Sequence, residues 1–113
     1  MKSFTIKRST WLRAEGNERS FLLRESDKKM CCLGQMCVSA GVRNIAGQRE
    51  PKLNPLLPSF LFDGYGNPSH ECYNLMTIND FMYEGENIIF DNERERKIIK
   101  IFAKHKIKVK FVD

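Results

Sequence analysis

Between Met30 and Ala40 the chain reads MCCLGQMCVSA, and only Gly34, Gln35 and Ser39 in that stretch lack an apolar side chain. Wound as a helix, at about 100° per residue, Met30, Cys31, Cys32, Leu33, Met36, Cys37, Val38 and Ala40 point in every direction. A helix that is apolar all round has no face to give to water and belongs inside a fold. Asp27 is placed to cap it from Lys28 onward, and Gly41 to end it in the left-handed conformation. Gly34 costs such a helix about 1 kcal/mol relative to Ala. Close approach of another backbone would explain that cost. The rest of the chain is expected to be arranged around this segment.

The same geometry bears on the thiols. Successive residues diverge, so Cys31 and Cys32 point in different directions, and Cys32 and Cys37 lie roughly 140° apart. None of these thiols pairs at the i,i+4 spacing that one-helix metal sites use. Free cysteine packs as a small hydrophobe, and packing is the expected role. A zinc site would draw on Cys31, Cys32, Cys37, His70, Cys72 and His105, but their spacing fits no common ribbon or finger. A nucleophile would be Cys31 in the first helical turn beside Lys28 and Lys29, with His70 and Asp80 completing a triad. No nucleophile motif accompanies it. No catalytic residue, metal ligand or cofactor is therefore assigned, and a non-enzymatic protein is expected.

Lys2 to Arg8 alternates with the period of a strand. Ser9–Leu12 reads as a turn or short helix, Glu15–Glu18 as a loop, and Ser20–Glu25 as a second strand. Four prolines and several glycines make residues 42–70 irregular, with one helical turn expected near Pro55–Leu61. Gly64–Asn67 is a turn, without the strand and helix that a phosphate loop requires. Cys72–Asp80 is a short helix or strand, and Asn79-Asp80 suits a cap or turn better than a cation site. Glu84–Asn87 is a turn. Asp91 opens the clearest helix, with Ile98, Ile99, Ile101, Phe102 and Ala103 as its buried stripe. Lys106–Val112 is a terminal strand with Ile107, Val109 and Phe111 inward. The fold class is α+β: one domain over residues 1–113, with a small antiparallel sheet packed around a buried Cys-rich helix and a C-terminal amphipathic helix.

Charge is unevenly spread. Residues 1–30 hold 8 Lys/Arg against 4 Asp/Glu, residues 31–90 hold 3 against 6, and residues 91–113 hold 8 against 4. Two basic ends flank an acidic middle. Arg94, Arg96, Lys97, Lys100, Lys104, Lys106, Lys108 and Lys110 are candidates for following phosphates. Arg96, Lys97, Lys100, Lys104, Lys108 and Lys110 are the set expected to contact nucleic acid. Apolar residues of the irregular segment that do not return to the core would form a partner site. Leu56, Leu57, Phe60, Phe62 and Tyr65 are the candidates there. The N-terminus lacks the apolar run of a secretory signal, and no run approaches the roughly 20 residues of a membrane helix. A cytoplasmic protein with no membrane partner is expected.

The stretch FLLRESDKKMCCLGQMCVSAGV resembles the core of a group of small phage and prophage proteins. Their pattern is a leucine-bearing strand, a polar turn, then Cys-Cys-Leu-Gly opening an apolar helix with a further cysteine. Here these are Leu22 and Leu23, Asp27–Lys29, Cys31–Gly34 and Cys37. TWLR at Thr10–Arg13, INDF at Ile78–Phe81 and the ending IFAKHKIKVKFVD are similar too, whereas residues 42–70 match poorly. The resemblance implies a setting, a bacterial host cell, more than a reaction, and no functional residue is carried over from it. It implies a phage-encoded accessory protein that binds and modulates or inhibits a host or defence protein or protein–nucleic acid complex. Nucleic-acid binding through the basic C-terminal helix and strand is the alternative.

Overall fold

The computed structural model describes residues 1–13, 19–81, 83, 84 and 87–113. Its elements are β1 (Ser3–Lys7), α1 (Cys32–Ala40), α2 (His70–Asp80), β2 (Tyr83–Glu84), β3 (Asn87–Ile88), α3 (Asp91–Lys104) and β4 (Lys108–Val112). Short 3₁₀ turns occupy Arg8–Thr10 and Ser59–Leu61. The loop expected at Glu15–Glu18 and the tip of the turn expected at Glu84–Asn87 lie outside the described residues.

β1 and β4 pair in register from Ser3 opposite Lys108 to Lys7 opposite Val112, and they run parallel. This corrects the antiparallel expectation; among the described residues antiparallel pairing is confined to the two-residue β2–β3 ladder and an isolated bridge between Phe62 and Pro68. Alternation fixes which side chains turn inward, not which way a strand runs. A parallel pair needs a long crossover, and nearly the whole chain between Lys7 and Lys108 supplies it. Phe4, Ile6, Val109 and Phe111 form the buried face of this sheet, against which α1 and α3 pack. Phe102 of α3 meets the Phe4 ring edge-on, with centroids 5.0 Å apart.

α1 starts later than its sequence suggests. Lys28 has φ of 62°, and Asp27 instead closes a tight turn, accepting from Lys29 N and from the Arg24 guanidinium. The helix begins at Cys32 with Cys31 as its N-cap, and Gly41 ends it at φ of 84°. Cys32 to Cys37 are buried, but Val38 is 54% exposed. Ser20–Glu25 forms no strand. Its backbone makes isolated bonds instead, Leu22 N to Gln48 O at 2.7 Å and Gly47 N to Leu23 O at 3.0 Å, which tie the irregular segment to the core. Cys72–Asp80 resolves as helix, capped by the Ser69 hydroxyl accepting from Cys72 N.

Candidate binding surface

A buried polar network fixes the frame on which any surface is displayed. The Asn79 carboxamide oxygen accepts from Trp11 Nε1 at 2.8 Å and from Cys32 N at 3.0 Å. Its nitrogen donates to Leu12 O at 3.0 Å and to Asp80 at 2.8 Å, and Asp80 accepts from Ser20 N at 2.9 Å. Asn79 is therefore a structural hub at the end of α2, not an exposed cation ligand or turn residue. Arg94 is buried beside it. One guanidinium nitrogen donates to the carbonyls of Ile78, Asn79 and Phe81. Placing a cation on the last carbonyls of α2 satisfies them and opposes the helix dipole. Arg94 is thus removed from the row of phosphate-following residues.

The remaining basic residues do not share one face. Arg96 and Lys100 each lie about 160° around α3 from Ile98, and Ile98 is buried while both of them are exposed. Lys108 and Lys110 occupy the outer face of the sheet whose inner face packs on α3. Lys97 lies 3.8 Å from Glu93, and Lys104 lies 3.4 Å from Glu71. The parallel register instead brings Lys7, together with Ser3 and Thr5, to the outer face beside Lys108 and Lys110. Sequence reasoning could not place Lys7 there without knowing the strand partner.

The cysteines sit in the core. Cys31, the candidate nucleophile, is buried, and burial pushes its thiol up to about 12. The backbone N–H groups of Gly34 and Leu33 act the other way and lose. Burial likewise lifts Cys37 to about 11 and Cys72 to about 12. The triad does not assemble: His70 is exposed at the start of α2, and Asp80 lies ten residues on, about 15 Å along the helix. Among the described residues no group of three or more His, Cys, Asp or Glu is placed to hold a metal ion, and no helix is long and apolar enough to cross a membrane.

The apolar candidates divide. Leu57 is buried. Phe60 stacks on His105 with centroids 3.8 Å apart and meets Phe102 edge-on, and Phe62 is half-buried. Leu56 is 53% exposed and Tyr65 is 93% exposed. Leu53, which the candidate set omits, is 65% exposed and packs beside Gly66. Tyr65 projects from a hydrogen-bonded turn: the Asp63 carboxylate accepts from the N–H groups of Tyr65 at 2.8 Å and Asn67 at 3.0 Å. Next to Leu53 a concavity of about 270 Å³ opens. A second, of about 430 Å³, adjoins it across residues Val42–Ile45. Compared with protein families, with curated proteins and with solved structures, the chain matches none.

Proposed function

We propose that this chain is a binding protein that engages a macromolecular partner through the platform carrying Leu53, Leu56 and Tyr65. The observation that carries the proposal is that these side chains stand in water on a loop held by buried Leu57 and Leu61 and by the Asp63 turn. Large apolar groups on a preorganised backbone bind with little further ordering cost. The raised thiols argue against a cysteine nucleophile, which needs the opposite shift. With the phage-like core, the partner class is a host or defence protein, or a protein–nucleic acid complex, bound in the bacterial cytoplasm.

The test is capture from a bacterial lysate on the immobilised chain, set beside the variant Leu53→Ser/Leu56→Ser/Tyr65→Ala. The wild type should retain a discrete protein at moderate salt and the variant should lose it. Retention of nothing, or equal retention by both, removes the proposal. A second reading, nucleic-acid binding, is favoured by the cluster of Lys7, Lys108 and Lys110 on the outer sheet face. It requires gel-shift affinity that falls steeply with salt, and that weakens in Lys108→Gln/Lys110→Gln.

A further inference from the structure

The two concavities share Val42, Arg43, Asn44 and Ile45 as a common border, and we infer that this groove on both sides of the border takes an acidic, apolar-bearing peptide segment of the partner. The inference rests on the binding reading above and names the chemistry of what is bound. Exposed Leu53, over buried Leu22, Ile45 and Leu57, gives one half its apolar surface, and Leu23, Val38 and Val42 give the other half theirs. Arg43 borders both halves and Lys52 borders the first. Both cations are exposed, and no carboxylate among the described residues lines either half. A segment with aliphatic side chains for the floor and carboxylates for Arg43 and Lys52 satisfies both features.

Other occupants fit less well. A second copy of the chain brings a net charge of +5 to meet +5. A nucleic acid would pair its phosphates with the cations but find no ring to stack on, since the floor is aliphatic. The groove is also built in advance. Asn44, at φ of 62°, holds its carbonyl toward Gln48 Nε2 at 2.7 Å. Val42 N donates to Cys37 O at 2.9 Å. The wall between the two halves therefore keeps its shape without a ligand, and binding need not order it.

The experiment is an amide-resolved NMR titration of the full chain with a short synthetic peptide alternating Glu and Leu. Two control peptides replace Glu by Lys or Leu by Ser. The expected result is shifts centred on Val38, Val42–Ala46 and Leu53, lost with either control. Arg43→Glu/Lys52→Glu should weaken binding by about tenfold or more, with an unchanged thermal melt because both residues are exposed. Shifts centred elsewhere, or equal binding by the double variant, overturn the inference. So do the same shifts on self-dilution or with an oligonucleotide in place of the peptide. If lysate capture survives the Arg43/Lys52 reversal but not the Leu53/Leu56/Tyr65 variant, the groove is refuted and the platform stands.

Discussion

A Cβ added to Gly34 would lie 1.7 Å from the carbonyl oxygen of Leu22. The helix and the segment before it are in backbone contact at this point, and nothing larger than hydrogen fits. Helix propensity alone would make Gly34→Ala stabilising by about 1 kcal/mol. The steric clash wins, because the opposing atom is backbone and Leu22 is held by its own bond to Gln48. Gly34→Ala should destabilise by roughly 3 kcal/mol or more, read from urea melts. A change within about 0.5 kcal/mol, the range of ordinary surface substitutions, would show that the close approach is absent.

Asn79 joins Trp11, Leu12, Cys32 and Asp80. Asn79→Ala leaves several buried donors and acceptors unpaired, at about 1–3 kcal/mol each, and should cost roughly 3–5 kcal/mol in a denaturant melt. Asn79→Asp should not rescue it. The new carboxylate could still accept from Trp11 and Cys32, but it would face Asp80 where an amide nitrogen now donates at 2.8 Å. Near-native stability of the Asp variant would mean that the hub works through its acceptor alone.

The three patches TWLR, CCLG and INDF were legible as sequence, yet nothing in their spacing says that Trp11, Cys32 and Asn79 meet. That junction depends on tertiary placement of polar groups, for which hydrophobic periodicity carries no signal. β4 was legible because its burial alternates, and α3 was legible as a helix, but of its expected stripe only Ile98 and Phe102 are buried; Ile101 is half-buried, and Ile99 and Ala103 are exposed. Gly41 was legible because it answers a local backbone demand, and Gly34 because a glycine inside a helix marks close approach of another backbone, here that of Leu22. The direction of β4 and the late start of α1 were not, since alternation and capping residues constrain neighbours rather than partners. Leu57, Phe60 and Phe62 look alike in an irregular segment. Only packing against Phe102 and His105 separates Phe60 from exposed Tyr65. The groove was hidden because Val38 was assigned to the buried helix.

Arg94 supplies donors to three carbonyls at the end of α2. Arg94→Met fills similar space but leaves those carbonyls without that cation. It should lower stability by roughly 3 kcal/mol. Arg94→Lys keeps the charge and one donor nitrogen but loses the second, which reaches Ile89 O at 3.4 Å, along with the planar guanidinium, so recovery should be partial. Hydrogen exchange at the end of α2 should rise in both. Full recovery with Lys would reduce the role of Arg94 to charge alone.

Acid should act first through paired carboxylates. The Arg24 guanidinium, hydrogen-bonded to Asp27, holds that carboxyl down at about 2 from an ordinary 3.8. His105 and Lys104 also hold Glu71 below its ordinary value. With folded values depressed, the unfolded chain takes up protons first. Stability contributed by these pairs is full above the ordinary values and is lost as pH falls toward about 2. Asp27→Asn should flatten that part of a stability–pH curve. An unaltered curve would mean that the Arg24–Asp27 turn contributes nothing.

The thiols set the opposite limb. Burial raises Cys31 to about 12, Cys37 to about 11 and Cys72 to about 12, and lifts Cys32 well above its ordinary 9.0. In the unfolded chain they ionise near the ordinary value, while the folded chain keeps them protonated. The unfolded state therefore gains from proton release first. Stability should be level up to about 9 and fall as pH rises toward about 12. Iodoacetamide at mildly alkaline pH should label all four cysteines within minutes in denaturant and only slowly in the native protein, at a rate set by opening of the fold. Replacing Cys32 or Cys37 by Ala should speed labelling of the remaining thiols by loosening the core. Rapid native labelling of all four at the unfolded rate would show that α1 is not the dry centre of this protein, and the groove beside it would lose its rigid wall.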